Sequence, residues 1–413
     1  MAVTEGENGG GVKTTTANRH QAEPSSPNLP PDQWYFPNEL KADLRNCGVP
    51  SHYIQETLVC SWEFVRTCIP QFTPRNYDRY LAFVRLGAIA TISEISGDLV
   101  DMAASPHQVL GYDADALLHT LFRDTPFHAA MAREWRTYVL LTGEKTCARR
   151  NSSLFRRYAN TLPKSAQTWF RLRDCDGFCR LTIAAALACN DIHDFWFSEA
   201  QLQIFAEITM TLYDVFAYYK HRSEGEIHDT YAYVGEELRA GAFQRCREVL
   251  WALDAAAAWD PAMQCAVNFV RFFGGPIHLT MRRYRFLEDG LTLGLPDTAQ
   301  MVQDARQHVK LWARLDKGVK AAEDDERYAF VAAQNELLLF PELLELLEQG
   351  LETHCAECVV PAVYGAPAPG EWGGAKLCGK CKMEWKRYME SLLPRAMEAF
   401  SGLRAFMAQR ALP

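Results

Sequence analysis

Apolar residues recur at three- and four-residue steps through most of the chain, from about residue 33 to about residue 345. The clearest series are Ile54, Leu58, Trp62, Val65 and Ile69 and, further along, Leu202, Phe205, Ile208, Leu212 and Val215. This spacing places apolar side chains on one face of an α-helix. Strand-like alternation is scarce, and breaks such as Gly274-Gly275-Pro276 separate the series, as expected between helices. The pattern predicts an all-α bundle.

The two ends of the chain differ from this helical part. Residues 1–32 are rich in Gly, Ser, Thr, Asn and Pro and contain few large apolar side chains, so we expect a disordered tail. Residues 33–345 form the predicted helical domain. Residues 346–413 contain two CxxC pairs around a loop rich in Gly, Pro and Ala, followed by another predicted helix. We therefore expect a small C-terminal module appended to the bundle.

The two CxxC pairs are the strongest metal-binding pattern in the sequence. They are Cys355-Ala-Glu-Cys358 and Cys378-Gly-Lys-Cys381, separated by 19 residues. This spacing allows two knuckles to supply four thiolates to a tetrahedral Zn²⁺. Four sulfur ligands leave no open position for a substrate, so the predicted zinc is structural. The alternative is a redox or disulfide pair, which a reducing cytosol disfavours.

Composition narrows the class of protein. The chain has 413 residues, 48% of them hydrophobic, which is enough to bury a large core. The formal net charge is −8 and no concentrated basic patch stands out, so we expect no nucleic-acid partner. The longest apolar run, residues 181–189, is far below the roughly 20 residues of a membrane span, and no secretory leader opens the chain. We expect a soluble, cytoplasmic protein, whose oligomeric state the sequence does not reveal.

Three carboxylates in the segment TISEISGDLVD form a candidate magnesium site. Glu94, Asp98 and Asp101 are spaced i, i+4 and i+7, which predicts that they share one helical face. Carboxylate oxygens are the hard ligands that Mg²⁺ takes, and the ion would in turn bridge phosphate oxygens. An ordinary exposed acidic face has the same spacing, so the pattern alone leaves both interpretations open.

The segment WFRLRDCDGF contains a candidate phosphate-binding group. A guanidinium such as that of Arg173 holds a phosphate through two parallel hydrogen bonds, and a carboxylate three residues on, Asp176, can orient it. Gly177 predicts a break in the helix, which would expose carbonyl groups toward a cavity. The alternative is a surface ion pair between Arg173 and Asp174 or Asp176.

Two more cationic segments follow. DVFAYYKHRSEGE, residues 214–226, contains Lys220, His221 and Arg222, and GGPIHLTMRRYRF contains Arg283-Tyr284. An Arg-Tyr pair by itself carries almost no information. The order of the acidic segment, the Arg173 segment and these two along the chain argues against a chance arrangement.

Taken together, RDCDGF, LACNDIHDFWF, YKHRSEGE, FVRFFGGPIHLTMRRYRF and the terminal CxxC pairs resemble the fungal sesquiterpene cyclases of the α-ionylideneethane synthase type, which act in abscisic acid biosynthesis. The similarity extends from about residue 33 to near the end of the chain. It implies a class I terpene synthase-like helical bundle that uses Mg²⁺ to cyclise farnesyl diphosphate to a hydrocarbon, most directly α-ionylideneethane, with release of diphosphate. This group lacks an ordinary DDxxD motif, in agreement with Glu94 at an expected aspartate position.

The resemblance also implies residue roles. Glu94 and Asp98 stand at the first and fifth positions of the aspartate-rich motif, and Arg173 matches the diphosphate sensor. The implied catalytic residues are Arg173, Asp176, Gly177, Lys220, His221, Arg283 and Tyr284. The implied substrate contacts are Phe178, Asp214, Tyr218, Arg222 and His278. The implied magnesium ligands are Glu94, Asp98, Asp101 and Glu224, and the implied structural zinc ligands are Cys355, Cys358, Cys378 and Cys381.

The second metal-binding helix of class I cyclases is altered here, because Tyr213, Ala217 and His221 replace the asparagine, serine and glutamate of its motif. Either one Mg²⁺ site is lost and the cationic cluster of Lys220, His221 and Arg222 takes over part of its role, or shifted ligands replace it. The shifted ligands would be Asp214, Glu224 or Glu226.

The proton donor and the product also stay open. The family chemistry is understood to pass through a neutral polyene that is reprotonated, so a general acid is needed, and His221, His278 and Tyr284 are candidates. One alternative function is a cyclase of the same group that makes another skeleton, such as a bicyclic sesquiterpene. The other is a non-catalytic helical protein whose zinc knuckles bind a partner.

Overall fold

The computed structural model describes residues 36–69, 76–223, 225–280, 325–352, 355–365 and 370–410. The first nine helices are α1 (Ser51–Cys68), α2 (Tyr77–Ile95), α3 (Ala114–Phe122), α4 (His128–Lys145), α5 (Ser153–Thr161), α6 (Ala166–Asp176), α7 (Cys179–Cys189), α8 (Glu199–Ser223) and α9 (Thr230–Val234). The others are α10 (Arg239–Ala256), α11 (Pro261–Phe273), α12 (Ile277–Thr280), α13 (Asp325–Ala333), α14 (Asn335–Leu338), α15 (Leu343–Glu352), α16 (Gly379–Glu390), α17 (Leu392–Ala399) and α18 (Ser401–Arg410).

Extended structure is almost absent from these residues. Strands β1 (Gln108–Val109) and β2 (Tyr112–Asp113) form one short antiparallel hairpin, and an isolated bridge joins Val359 to Lys376. Short 3-10 turns occur at Asn38–Leu40, Gly97–Leu99 and Glu236–Leu238. The all-α prediction is therefore confirmed. In the part of the chain that the structure describes, no helix is both long and apolar enough to span a bilayer.

Helix α7 lies at the centre of the bundle. All eleven of its residues are buried, and α2, α4, α6, α8 and α11 pack around it. Its sequence, CRLTIAAALAC, is rich in alanine, and such small side chains allow neighbouring helices to approach closely on every side. Apart from Thr182 and Arg180, which pairs with the buried Asp174, the helix is apolar on every side, and such a helix is expected to be buried.

The chain breaks between α6 and α7, as Gly177 predicts. Helix α6 ends at Asp176, and Phe178 adopts a left-handed conformation with φ 58° before α7 begins at Cys179. A Cβ at position 177 would lie 2.6 Å from the Met210 side chain of α8 and 3.0 Å from the Arg173 carbonyl oxygen. Because real Cβ atoms do not approach so closely, only glycine fits the break without displacement.

The shared helical face predicted for Glu94, Asp98 and Asp101 is wrong, because α2 ends at Ile95. Asp98 lies in the 3-10 turn Gly97–Leu99, and Asp101 lies beyond it. The cause is tight packing: a Cβ at Gly97 would lie 1.9 Å from the backbone oxygen of Gly143 on α4. The chain therefore leaves the helix at the point where two backbones touch.

The C-terminal helices pack against the bundle. Trp385 of α16 is buried with its ring centroid 6.0 Å from that of Trp169 on α6 and 5.2 Å from that of Tyr233. Arg395 of α17 forms an ion pair with the buried Glu207 of α8 at 2.6 Å. The predicted boundary between residues 345 and 346 stays a prediction, and the predicted tail, residues 1–32, lies outside the described residues.

Candidate active site

Two adjoining cavities meet at the break between α6 and α7. The first is mainly apolar, and its walls include Phe64, Ala90, Tyr138, Phe178 and Ile277. The second is polar, and its walls include Lys145, Arg173, Tyr213, His221, Glu226 and His228. Both are bordered by Glu94, Asp176, Gly177 and Phe273. Arg173, which the sequence predicts to bind phosphate, therefore lines the polar cavity. The helix break at Gly177 lies where the polar and the apolar cavity adjoin.

Arg173 is buried at the floor of the polar cavity. Its guanidinium donates to Asp176 and, across 3.2 Å, to Asp214 on α8. Asp214 also accepts the backbone N–H and the hydroxyl of Thr230, both at 2.7 Å. Burial raises the pKa of Asp214, while Arg173 and Thr230 oppose the rise. The ion pair between Arg173 and Asp176, which was expected at the surface as an alternative, is thus buried. The second ion pair, with Asp214, connects the Arg173 segment to the cationic segment on α8.

Lys145, the last residue of α4, was not predicted from the sequence. It is buried, and its Nζ lies 3.9 Å from Oε1 of Glu94 and 3.7 Å from Oδ1 of Asp176. The hydroxyl of Tyr138 donates to the same Glu94 oxygen at 3.2 Å. A second cation therefore lies between two carboxylates at the border of the cavities. No motif surrounds Lys145, so nothing in the sequence singles it out.

Glu226 and His228 form a buried pair that was not predicted from the sequence. Oε1 of Glu226 accepts the backbone N–H groups of Ile227 and His228 and lies 3.1 Å from Nδ1 of His228. Burial, followed by the charge of Lys145, lowers the pKa of His228 to about 3, although Glu226 opposes the shift. Nε2 of His228 is buried and has no hydrogen-bond partner in the described ranges.

His221 joins a second buried acidic group. Its Nδ1 lies 2.8 Å from Oδ2 of Asp229, whose other oxygen accepts the Tyr231 N–H and caps α9. Burial, and then the charge of Asp214, raises the pKa of Asp229 well above its ordinary value. Ligand atoms of Asp214, His221 and Asp229 lie within 4.8 Å of one another. The carboxylates already serve Arg173, Thr230 and Tyr231, so this cluster supports the protein framework around Arg173.

Other predicted substrate contacts lie in different surroundings. Phe178 lines the apolar cavity and packs against Tyr138, with ring centroids 4.3 Å apart. His278 is buried and stacks on Tyr213 at 4.7 Å. Tyr218 donates to Glu236 at 2.8 Å. Tyr218, Lys220 and Arg222 are not among the residues that line the two cavities.

The predicted magnesium ligands are not brought together. Glu94 borders both cavities, whereas Asp98 is exposed and Asp101 pairs with Arg327 of α13 at 2.9 Å. Glu224, like Arg283 and Tyr284, lies outside the described residues. Of the three predicted ligands that the structure describes, Glu94 is the one that borders the cavities.

The four clustered cysteines converge as their spacing predicts. Their ligand atoms lie within 4.8 Å of one another, and Sγ of Cys355 is 3.8 Å from Sγ of Cys378. Two thiolates at Zn–S distances of about 2.3 Å in a tetrahedron would be about 3.8 Å apart. All four thiols are free, and the Cys378 N–H donates to Sγ of Cys358 at 3.3 Å. The donor set therefore fits Zn²⁺.

A helical bundle that places a polar cavity, lined by both cations and carboxylates, beside an aromatic, apolar cavity suits an enzyme whose substrate has a charged part and an apolar part. Comparison with known families is consistent with that class. Residues 32–402 match the family model described as alpha-ionylideneethane synthase aba3. The chain belongs to the alpha-ionylideneethane synthase family.

Curated relatives agree with this assignment. The chain is 46% identical over 373 residues to alpha-ionylideneethane synthase aba3 of Botryotinia fuckeliana (strain B05.10), covering 90% of this chain and 84% of the relative. It is 45% identical to alpha-ionylideneethane synthase abl3 of Leptosphaeria maculans, with 90% and 86% coverage. It is 40% identical to the abl3 synthase of Pyricularia oryzae (strain Y34), with 90% and 84% coverage. The resemblance inferred from the motifs is confirmed.

Proposed function

We propose that this protein is a sesquiterpene cyclase that ionises farnesyl diphosphate with the help of Mg²⁺ and cyclises it to α-ionylideneethane, releasing diphosphate, as a step of abscisic acid biosynthesis. The observation that carries the proposal is the junction of the two cavities at Gly177. A diphosphate in the polar cavity would place its farnesyl chain in the apolar one, since both share the border of Glu94, Asp176 and Phe273.

The polar cavity suits a leaving diphosphate. Arg173 is held by Asp176 and Asp214, and Lys145 lies against Glu94 and Asp176. As the C–O bond breaks, negative charge grows on the diphosphate. Cations fixed beforehand in a buried pocket stabilise that charge more than they would in water.

The apolar cavity suits the allylic cation. Its walls carry the rings of Phe64, Tyr138, Phe178 and Phe273, and the negative face of an aromatic ring attracts a cation. Apolar walls also exclude water, which would otherwise capture the cation as an alcohol. Phe83, a buried core residue, stacks on Phe178 with ring centroids 6.4 Å apart and so stabilises this wall of the cavity.

A magnesium ion at the border of the cavities would be held by Glu94 and Asp176 and would compete with Lys145 for both carboxylates. Mg²⁺ is usually held by one or two carboxylates together with substrate phosphates and water, and Glu94 and Asp176 are carboxylates at the junction of the cavities. When bound there, the ion would neutralise charge on the diphosphate. Zn²⁺ at the four cysteines would fasten the C-terminal segment and has no part in the reaction. The free thiols of the chain favour a reducing compartment, the cytosol, as its location.

The test is incubation of the purified protein with farnesyl diphosphate, with and without Mg²⁺, followed by gas chromatography and mass spectrometry. A Mg²⁺-dependent C15 hydrocarbon with the retention of α-ionylideneethane supports the proposal. A C15 hydrocarbon with a bicyclic skeleton would instead support the alternative cyclase. Absence of any product, with geranyl and geranylgeranyl diphosphates also inert, would favour a non-catalytic zinc-containing interaction protein.

A further inference from the structure

We propose that His228, oriented by Glu226, transfers the proton in this cyclisation: its Nε2 takes a proton from the first carbocation and returns it to the neutral polyene. This inference rests on the proposed function and deepens it by assigning the general acid and base. Neither residue was a candidate donor on sequence grounds: Glu226 was considered only as a possible metal ligand at the end of YKHRSEGE, and His228 follows that segment in the loop after α8.

The Nδ1 side of the ring is fixed as a donor. Oε1 of Glu226 accepts the backbone N–H groups of Ile227 at 2.9 Å and His228 at 3.3 Å, and it lies 3.1 Å from Nδ1. An oxygen that gathers three N–H groups acts as a carboxylate acceptor. Nδ1 therefore carries the ring proton, and Nε2 presents a lone pair.

The other ring nitrogen, Nε2, belongs to a residue of the cavity wall. His228 lines the polar cavity together with Lys145, Arg173 and Phe273, and its side chain is only 3% exposed. Nε2 has no hydrogen-bond partner among the residues that the structure describes. A buried ring nitrogen without a partner is unfavourable for stability alone, so its position calls for a ligand or a reacting group on that side.

The proton balance of the reaction is complete with this residue. Loss of diphosphate breaks the C–O bond and leaves an allylic cation. A neighbouring C–H bond then breaks: its electron pair forms a C=C bond, and its proton binds to the Nε2 lone pair. The neutral polyene takes this proton back at another carbon through a C=C electron pair, and the new cation closes the ring. A final proton loss to Nε2 gives the hydrocarbon, and that proton leaves with diphosphate.

The surroundings of His228 favour rapid return of the proton from its ring to the polyene. Burial and the charge of Lys145 lower the pKa of His228 to about 3, so its protonated form is a strong acid that returns the proton readily. Glu226 counteracts this effect and keeps protonation accessible, in the same way that a buried carboxylate supports a catalytic histidine. Lys145 and Arg173 would in turn hold the diphosphate beside the ring.

The decisive variant is His228→Asn, because an asparagine amide can still donate to Glu226 in place of Nδ1 but has no group at the place of Nε2. His193→Asn is the matched control, since His193 is half-buried beside Asp191 and is not among the residues that line the cavities. Diphosphate release and C15 hydrocarbons are measured for both variants and for the unaltered protein. In His228→Asn the first proton can pass only to the released diphosphate, and no acid at the place of Nε2 returns it to the polyene. We therefore expect this variant to release diphosphate and to raise the ratio of acyclic to cyclic hydrocarbon at least tenfold.

An unchanged product ratio in folded His228→Asn would overturn the proposal, as would a folded variant that no longer releases diphosphate. If thermal melting shows that His228→Asn does not fold, Glu226→Gln decides: the proposal requires a shift toward acyclic product, and an unchanged ratio overturns it. Failure of the proposed function is distinguishable, because the unaltered protein would then make no C15 hydrocarbon.

Discussion

A guanidinium nitrogen of Arg173 on α6 lies 3.2 Å from a carboxylate oxygen of Asp214 on α8, and both side chains are buried. The two residues are 41 positions apart in sequence. Because Arg173 also donates to Asp176, its orientation is set from two sides before any substrate arrives. Burying such charges costs desolvation free energy, which is recovered when the guanidinium acts on a charge that develops during the reaction.

Arg173→Lys tests this orientation. Lysine keeps the charge but presents a single nitrogen, which cannot serve Asp176, Asp214 and a phosphate in one plane. We expect the turnover number to fall roughly 10²-fold, similar to the loss of a preorganised donor in other active sites. Steady-state kinetics of hydrocarbon formation measures the effect. Arg171→Lys is the control, since Arg171 pairs with Glu134 and is absent from the walls of both cavities.

Lys145→Gln tests the second cation of the polar cavity. The change removes one charge and keeps a side chain of similar length, so we expect the affinity for inorganic pyrophosphate to fall about tenfold, which is about 1.4 kcal/mol. Isothermal titration calorimetry measures the affinity without any turnover. Lys164→Gln is the control because Lys164 is exposed and binds Gln349 at 2.6 Å. Equal affinities for the two variants would remove Lys145 from the diphosphate site.

Glu94→Gln and Asp98→Asn separate the predicted magnesium ligands. Glu94 borders both cavities, whereas Asp98 is exposed beyond the end of α2. We expect Glu94→Gln to raise the Mg²⁺ concentration for half-maximal activity about tenfold or more, and Asp98→Asn to leave it nearly unchanged, because a hard cation prefers a carboxylate to an amide oxygen. The measurement is a Mg²⁺ titration of the initial rate. The opposite order of effects would contradict the position of the ion at Glu94.

The parts of this site that follow from local sequence were predictable. Apolar periodicity predicted the helices, and the short sequence around Gly177 predicted the break between α6 and α7. These features depend on neighbouring residues, so a linear pattern carries them.

The remaining parts depend on packing between distant segments. Glu94, Asp98 and Asp101 have helical spacing, but the contact of Gly97 with the Gly143 backbone ends α2 after Ile95. Tertiary packing overrides a local pattern in such cases. Lys145 likewise lies at the site because α4 ends beside α6. No sequence pattern around Lys145 predicts this position.

The zinc proposal predicts about one Zn per chain in metal analysis of the purified protein. Cys378→Ser should lower the zinc content and reduce thermal stability, because binding at a structural zinc site contributes directly to folding. Cys265→Ser is the control, since Cys265 is a free, half-buried thiol outside the cluster. A protein without zinc that melts at the same temperature would rule out the structural role.

Acid should destabilise the protein through His228 in particular. Its pKa is about 3 in the folded protein and 6.5 when unperturbed. Between these values the unfolded chain binds a proton at His228 that the folded protein does not. The contribution of His228 to the free energy of unfolding is therefore fully present above about pH 6.5 and falls as the pH decreases toward 3. The slope from this group approaches about 1.4 kcal/mol per pH unit.

Other groups titrate in the same range, so the informative quantity is the difference between two variants. Chemical unfolding of His228→Asn between about pH 6.5 and 4 should give a shallower fall in the free energy of unfolding than that of the unaltered protein, because asparagine does not titrate. His193→Asn is the matched control, since His193 is half-buried beside Asp191 and does not line either cavity. Parallel curves for all three proteins would mean that the His228 ring is protonated in the folded state as readily as in the unfolded chain.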